Sequence, residues 1–542
     1  MGIFRLTKKY IALQKKDIGI MVSTTLLLWV ATMLTPYITA VFLDSLILQA
    51  YASIVWRTVI ILSIIWTLQL LFTYTRNIVS TRVHSLTGYY MRYDLVAHIK
   101  RLPISYFREI DSAYLNQRTA MDTGTVVGFV LGSVLGLFTT TLTFVVALVI
   151  LFNLNYVVAF IICLLLPVYT LIYIKFKNPL YEIGKKMAEE ASVFHGLVNK
   201  QISNICLIKQ NEWQSRTGDE MNTGFYSLFK TIMQNARLSY LVNNADSVVR
   251  YLANIAIFVY SGLQIIVGRM TIGQFTMINT YSLMVVSCLS VFFNFGKSYQ
   301  QASVAYDRAM EILNTVQEKT GTIRLQGINR IKVADLCFNH QNKQIINTIS
   351  FEMEKGKIYA ITGDNGTGKS TFVNILCGIE QNYGGALLVM ESRSDSWVNM
   401  REVELCHYRE KLLAIVPQEP VLYYDTIFEN ISEGRNESIV DTWLEILSLS
   451  DFIKCLPDGL ATKVTEKSAN FSGGEKQLLA VAKAFIKNAD IMILDEPSSA
   501  LDAYSIELMY KALADVRDEK IVLIVTHDKG LVDLCDEEIV FL

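Results

Sequence analysis

The chain has 542 residues, of which 52% are hydrophobic and 18% charged, and its 49 basic and 50 acidic side chains leave a formal net charge of −1. This composition excludes an intrinsically disordered chain and is atypical of a soluble enzyme, in which about a quarter of the residues are charged. The near-zero balance argues against a general nucleic-acid binder, so no nucleic-acid partner is expected. The 8 cysteines have no C-x-x-C spacing, which indicates neither a zinc site nor a disulfide framework. Length and apolar content instead predict membrane spans and at least two domains.

Six uncharged stretches in the first part of the chain are long enough, or nearly so, to cross roughly 30 Å of hydrocarbon as helices. In chain order they cover residues 18–43, 58–75, 126–152, 156–174, 251–267 and 270–296. The first is too long for the apolar region of a signal peptide and lacks a small-residue cleavage site, so we interpret it as a retained span. The sequence therefore predicts a helical membrane domain with six transmembrane helices over residues 1–315.

The distribution of Lys and Arg predicts the orientation of these helices. The connections after the second and fourth stretches are rich in basic residues, whereas the alternate connections carry only Arg57 and Arg269. Cytoplasmic connections carry the basic excess, which places both termini in the cytoplasm and brings the basic connections toward anionic membrane lipids. Both basic connections contain few glycines and prolines, and we expect long helices that continue out of the bilayer.

Charged residues near the ends of the predicted spans allow two interpretations. Asp44, Asp246 and Arg250 lie at such positions. Charges there are often interfacial, but an ionisable group that faces the bundle interior would contact cargo.

Residues 316–542 differ in composition from the first part of the chain, with shorter apolar runs and more charged residues. Short β-rich segments at 357–362, 412–416, 491–494 and 521–525 alternate with helical ones. Alternation of this kind predicts an α/β domain on a mostly parallel sheet.

A glycine-rich loop follows the first of these strands. It runs Gly363, Asp364, Asn365, Gly366, Thr367, Gly368, Lys369, Ser370, Thr371 and fits G-x-x-x-x-G-K-[ST], with a predicted helix after it. In such a loop, backbone N–H groups surround a triphosphate, the lysine reaches the β- and γ-phosphates, and the hydroxyl after it binds Mg²⁺. The motif therefore predicts a site for ATP and Mg²⁺ on an α/β P-loop NTPase domain.

Two adjacent carboxylates, Asp495 and Glu496, end the apolar strand at 491–494. A strand end can present one carboxylate as a Mg²⁺ ligand, here Asp495, and the next as the base that deprotonates the attacking water, here Glu496. Together with the glycine-rich loop, the pair predicts a nucleotide hydrolase.

A third motif, Ser472-Gly473-Gly474-Glu475, opens an apolar helix. Ser472 and Glu475 have the spacing of a capping box, which many helices use. The two glycines also leave backbone N–H groups open to a phosphate at a helix N-terminus.

These motifs, with Gln418, Asp502 and His527 in the same order along the chain, resemble the nucleotide-binding domain of ATP-binding cassette (ABC) transporters. With six predicted spans ahead of it, the chain resembles an ABC exporter half-transporter. The resemblance implies a homodimer in which ATP held by Gly363 to Thr371 is covered by Ser472, Gly473, Gly474 and Glu475 of the partner.

The resemblance also implies roles for single residues. Gln418 would touch Mg²⁺ and the attacking water, His527 would contact the γ-phosphate and orient Glu496, and Asp502 would couple the two ATP sites. His340 occupies the position where the family usually stacks a tyrosine on adenine, and it is either the stacking residue or a plain loop residue.

The expected function is ATP-driven export of a peptide or of an amphiphilic or hydrophobic cargo by alternating access. A lipid or lipid-linked glycan flippase of the same fold is one alternative, and a non-transporting regulatory membrane ATPase is another.

Overall fold

The structure is a computed structural model that describes residues 2–47, 52–110, 112–340, 343–423, 426–464 and 471–541. It divides into two compact units. The first comprises Met1–Leu102 and Tyr106–Val316, and the second comprises Pro103–Ser105 and Gln317–Leu542. The first unit is helical, and the second contains every strand of the described residues.

The described residues up to Asn314 form ten α-helices, most of them long. They are α1 (Gly2–Ala12), α2 (Lys15–Ile47), α3 (Ala52–Ile99), α4 (Ile104–Glu109), α5 (Ser112–Gly128), α6 (Val134–Leu154), α7 (Tyr156–Ser203), α8 (Ile205–Gln210), α9 (Gln214–Ile266) and α10 (Ile272–Asn314), with a π-helical turn at Phe129–Ser133 between α5 and α6. The helices α3, α7 and α9 have 48, 48 and 53 residues, far more than the roughly 20 that a bilayer needs. The expectation of long helices that continue beyond the predicted spans into the basic connections is met in α3, α7 and α9.

Five helices of the described residues are long and apolar enough to cross a membrane. They are Lys15–Ile47, Ala52–Ile99, Arg118–Leu154, Gln214–Ile266 and Ile272–Asn314. The remaining predicted span, 156–174, is helical within α7, and several of its side chains lie outside the described part of the chain. Large apolar side chains on these helices point outward, such as Leu70 at 74% and Ile266 at 82% exposure. Apolar surface of that extent is suited to lipid.

The N-terminus of α10 is held by a side chain of α2. The Asp44 carboxylate accepts a hydrogen bond from the Thr271 hydroxyl at 2.8 Å and another from the Gly273 backbone N–H at 2.8 Å. Thr271 and Gln274 also form a capping box. Asp44 therefore satisfies backbone donors that the helix itself leaves open. Of the other two charges near span ends, Arg250 is partly buried, and the side chain of Asp246 lies outside the described residues.

The second unit contains two sheets and short helices. The strands are β1 (Ile328–His340), β2 (Lys343–Glu354), β3 (Ile358–Gly363), β4 (Gly384–Glu391), β5 (Trp397–Asn399), β6 (Leu413–Val416), β7 (Ile491–Asp495), β8 (Ile521–Val525) and β9 (Glu537–Phe541). The helices are α11 (Lys369–Leu376), α12 (Leu405–His407), α13 (Ile427–Ile431), α14 (Glu437–Ile446), α15 (Ser450–Cys455), α16 (Gly473–Lys487), α17 (Ala503–Val516) and α18 (Lys529–Val532), with a π-helical turn at Tyr408–Leu412.

The larger sheet is parallel throughout and has the order β6-β7-β8-β3-β9. Its central strands β7, β8 and β3 are buried on both faces. Ile491 and Ile493 of β7 pack into one core, whereas Met492 and Leu494 pack into the other. Continuous apolar strands of this kind are typical of a parallel sheet covered on both sides, which is the predicted α/β fold. The smaller sheet is antiparallel, with the order β2-β1-β4-β5.

Candidate functional site

The carboxyl ends of four neighbouring strands bring the predicted hydrolytic residues to one edge of the parallel sheet. Gln418 follows β6, Glu496 follows β7, His527 follows β8, and the glycine-rich loop follows β3. Ligands of open α/β sheets bind outside this edge. This adjacency, which the family resemblance implied, arises from the strand order β6-β7-β8-β3.

The loop from Gly363 to Gly368 is folded around the ammonium group of Lys369. Lys369 Nζ donates hydrogen bonds to the carbonyl oxygens of Gly363 at 2.7 Å and Asp364 at 3.0 Å, and its side chain is buried. Gly363, Gly366 and Gly368 have φ angles of 140°, 89° and 96°, which side chains rarely adopt. A Cβ on Gly368 would also lie 2.7 Å from the Ile346 side chain. The three glycines are therefore required by the backbone path of the loop.

The remaining loop residues complete the predicted phosphate cradle. The Thr367 hydroxyl donates to the Asp364 carbonyl at 2.9 Å and closes the turn. Asn365 and Ser370 are exposed, and Ser370 and Thr371 lie in the first turn of α11. Backbone N–H groups at such a helix start favour a bound anion.

Glu496 is the centre of a polar contact network. Its carboxylate accepts a hydrogen bond from Gln418 Nε2 at 2.7 Å, and its other oxygen lies 3.9 Å from His527 Nε2. The Glu496 backbone has φ 47°, and its N–H donates to the Val525 carbonyl of β8 at 2.9 Å. A left-handed backbone outside glycine is found where the surroundings hold a side chain in a particular direction, often at functional sites.

Asp495, the last residue of β7, precedes Glu496 and is half-buried. Burial, and then the neighbouring Glu496 carboxylate, raise the pKa of Asp495, while Lys369 opposes the shift. A divalent cation would relieve the cost of this buried charge. The oxygen donors of Asp495, Ser370 and Gln418 have the chemistry that Mg²⁺ prefers, and Mg²⁺ sites commonly use one or two carboxylates with substrate phosphates. The residues present therefore fit Mg²⁺.

The predicted capping box at Ser472 is present. Glu475 N–H donates to Ser472 Oγ at 3.3 Å, and Ser472 N–H donates to Glu475 Oε2 at 2.6 Å. The two glycines between them differ in their surroundings. A Cβ on Gly474 would lie 2.8 Å from the Ala500 carbonyl oxygen, whereas a Cβ on Gly473 would meet only the Ala500 side chain at 3.8 Å. Gly474 thus has a packing role that the sequence does not reveal.

Asp502 caps α17. Its carboxylate accepts from the Ser505 backbone N–H at 2.9 Å, and hydrogen bonding to the Ser505 side chain, then to its backbone, holds the pKa of Asp502 below its usual value. The capping role is compatible with the predicted coupling role, since the residue is exposed. His340 ends β1, and its side chain lies outside the described residues, so stacking on adenine stays a prediction.

The sequence interpretation missed the residues that hold the C-terminal end of α11, the helix that follows the predicted phosphate-binding loop. Arg409 donates to the carbonyls of Cys377 at 2.9 Å and Gly378 at 2.8 Å, and the Tyr408 hydroxyl donates to the Leu376 carbonyl at 2.9 Å. These residues are about thirty positions from their partners and belong to no recognised motif, so local sequence carries no signal for them.

All eight cysteines are free, as expected. In the described ranges, no group of three or more His, Cys, Asp or Glu side chains could hold a metal ion by itself. A Mg²⁺ site at this edge would therefore depend on mixed ligands and substrate.

Two family models match the chain. Residues 18–289 match the ABC transporter transmembrane region, and residues 346–499 match the ABC transporter model. A probable ABC transporter ATP-binding/permease protein of Haemophilus influenzae is 30% identical over 45% of this chain and 44% of its own length. A multidrug resistance ABC transporter ATP-binding and permease protein of Lactococcus lactis is 25% identical over 79% of this chain and 72% of that protein.

Other comparisons cover more of the chain. An ATP-dependent lipid A-core flippase of Photobacterium profundum is 22% identical over 83% of this chain and 77% of that protein. The structure of a bacterial Atm1-family ABC exporter with ATP bound superposes with a TM-score of 0.85, covering 98% of this chain and 94% of that one at 20% identity. At this identity the superposition establishes a shared fold.

Proposed function

Because the chain belongs to the ABC transporter family, as an exporter that fuses a membrane region to an ATP-hydrolysing domain, we propose that it acts as a homodimer that exports a peptide or an amphiphilic or hydrophobic cargo across the cell membrane. Residues 1–315 form the transport domain in this proposal, and residues 316–542 bind and hydrolyse ATP. Both termini and the ATPase domain are in the cytoplasm, in keeping with the basic connections.

One observation carries the hydrolytic part of the proposal, the contact of Glu496 with Gln418 at 2.7 Å beside His527. The Glu496 carboxylate accepts a proton from the attacking water as the water oxygen bonds to the γ-phosphorus. The bond from the γ-phosphorus to the bridging oxygen breaks, and ADP and inorganic phosphate leave. Gln418 orients the carboxylate, and His527 contacts the γ-phosphate.

The phosphate groups are bound by the loop from Gly363 to Thr371. Lys369 exchanges its two backbone carbonyl partners for phosphate oxygens, which gives a buried ammonium group a stronger, charged partner. Ser370, Gln418 and Asp495 would hold Mg²⁺, which supplies positive charge against the charge that develops on the phosphates.

A dimer is proposed because the helix start at Ser472 offers backbone donors, a positive helix end and a glycine, Gly473, without close neighbours. In the head-to-tail arrangement, this helix start covers the ATP held by the partner subunit. Each ATP site then needs the loop of one chain and the Ser472 segment of the other.

Complementation between two inactive variants tests this arrangement. Chains with Lys369→Ala or Gly473→Asp are each expected to be inactive in lipid nanodiscs. Co-assembled in equal amounts, they should regain roughly a quarter of the parental ATPase rate, because half of the dimers are mixed and each keeps one intact site. Lys369→Ala mixed with Glu496→Gln is the matched control and should regain nothing, since both changes affect the loop-bearing side. Equal recovery in both mixtures, or none in the first, would contradict composite sites.

The cargo assignment rests on the apolar spans and on the multidrug resistance relative. A lipid flippase is the second candidate, favoured by the lipid A-core flippases among the relatives. ATP-dependent uptake of a labelled amphiphilic peptide into inside-out vesicles, compared with ATP-dependent movement of a labelled lipid between leaflets, separates the two. ATP hydrolysis without either movement would favour a non-transporting ATPase.

A further inference from the structure

Arg409 joins three parts of the second unit through one side chain. Beyond its bonds to the Cys377 and Gly378 carbonyls, its guanidinium donates to both oxygens of Glu318, at 2.9 and 2.6 Å. The planar guanidinium of Arg409 therefore donates four hydrogen bonds, two to carbonyls at the end of α11 and two to the Glu318 carboxylate. A guanidinium has a rigid fork geometry, so the two sets of partners are held in a fixed relation.

The helix end in this contact belongs to α11, which starts at the glycine-rich loop. The helix has eight residues, about 12 Å in length, and Phe372 and Ile375 are completely buried in the core. A short helix packed in this way moves as one body. If ATP binding displaces the N-terminus of α11, the Cys377 and Gly378 carbonyls at its other end therefore move as well.

The helix that begins at Ser472 reaches the same residue. Lys487, the last residue of α16, donates its ammonium proton to the backbone carbonyl of Arg409 at 2.8 Å. The C-terminal ends of both helices whose N-termini carry the predicted nucleotide motifs thus meet at Arg409.

Glu318 belongs to the segment that leaves the membrane domain. It follows Asn314, the last residue of α10, by four positions. The residues after it are fixed along their length to the turn around Arg409, since Leu405 N–H donates to Thr320 Oγ1 at 3.0 Å and Gly321 N–H donates to the Val403 carbonyl at 3.0 Å. The linker, residues 317–323, is therefore part of the ATPase fold rather than a free tether.

We propose that Arg409 and Glu318 form a clasp that transmits nucleotide binding from the C-terminal ends of α11 and α16 to the linker, and through the linker to membrane helix α10. Arg409 is a positioning residue in this scheme, since it contacts none of the residues assigned to hydrolysis in the proposed function. The clasp rests on that function, because it describes how ATP binding reaches the membrane helices.

Hydrogen exchange measured by mass spectrometry on the full chain in nanodiscs tests the clasp. The parent protein is Glu496→Gln, with and without Mg²⁺ and ATP. We expect ATP to slow exchange in residues 363–376 and to change exchange in residues 312–323 by at least about fivefold, the lower end of typical allosteric coupling. In Glu318→Ala and in Arg409→Lys, the change in 363–376 should persist while the change in 312–323 is lost. Glu318→Asp keeps the carboxylate, and in this variant ATP should again change exchange in residues 312–323.

The matched control is Glu404→Ala. The Glu404 carboxylate pairs with Arg324 beside the linker and is not a partner of the Arg409 guanidinium in the described contacts, so the response in 312–323 should survive. Persistence of that response in Glu318→Ala and Arg409→Lys would overturn the clasp, as would its loss in the control or its absence from the parent. Failure of the proposed function is distinguishable, because it would appear as no response in 363–376.

Discussion

At the scale of single residues, the ionised Asp495 carboxylate is electrostatically unfavourable in the folded protein without ligands. Burial and the neighbouring Glu496 raise the pKa of Asp495 above its ordinary value of 3.8. The folded protein therefore binds more protons than the unfolded chain between the two pKa values, and stability falls as pH rises through that window. Above the window the whole penalty is present.

Removal of this charge should stabilise the protein without ligands. We expect Asp495→Asn to raise the Tm at pH 7 in the absence of nucleotide and Mg²⁺, and the gain to shrink as pH falls toward 4. Asp502→Ala is the control of opposite sign, because the lowered pKa of Asp502 reflects a stabilising bond that is present at pH 7 and lost in acid. Thermal unfolding of the detergent-solubilised chain measures both, and a lower Tm for Asp495→Asn at pH 7 would contradict the interpretation.

The sequence predicted some of the contacts around Ser472 and not others. The capping box of Ser472 and Glu475 follows from spacing within one helix turn, and the structure has it. The packing of Gly474 against Ala500 involves residues 26 positions apart, and the glycine is equally well explained by phosphate binding until the fold is seen. Local rules identify local contacts, whereas long-range packing needs the topology.

At the scale of elements, the start of α10 depends on another membrane helix. Asp44 of α2 accepts hydrogen bonds from Thr271 and Gly273. From the sequence, Asp44 could be either an interfacial charge or a cargo contact, and in the structure it caps α10. Unsatisfied backbone donors are costly near hydrocarbon, where water is scarce.

Loss of this cap should be measurable. Asp44→Ala is expected to lower the unfolding free energy by about 0.5–2 kcal/mol, the range for removal of an N-cap side chain. Asp44→Asn is the matched control at the same position, because the amide oxygen can still accept from the Gly273 N–H, and asparagine caps helices about as well as aspartate. Thermal or denaturant unfolding in nanodiscs compares the two, and equal effects would contradict a capping role for Asp44.

Four of the five strands of the parallel sheet were predicted from the sequence, whereas the antiparallel sheet was not. Apolar runs identified β3, β6, β7 and β8 to within about a residue, because a buried parallel strand is apolar along its length. The clasp residues Glu318 and Arg409 were not predicted, since their pairing spans 91 positions and two irregular segments. The strands β1, β2, β4, β5 and β9 were not predicted either, since none of them is a continuous buried apolar run.

At the scale of the whole molecule, the near-zero net charge conceals two units of different chemistry. The first is helical and apolar enough to form a multi-pass membrane region, and the second is an α/β ATPase fold. The family assignment joins them as an ATP-hydrolysing exporter, and the network around Glu496 is the point on which the proposed energy supply depends.

The most direct test of that claim is the ATPase rate of the full chain in lipid nanodiscs, with and without vanadate, beside Glu496→Gln. We expect vanadate-sensitive turnover in the parent and a fall of at least about a hundredfold in Glu496→Gln with ATP binding retained. Turnover should be near-parental in Glu538→Gln, which changes a carboxylate on the edge strand β9 of the same sheet. Turnover in Glu496→Gln equal to that of the parent would contradict the assignment of Glu496 as the base, and absence of turnover in the parent would contradict an ATP-driven exporter.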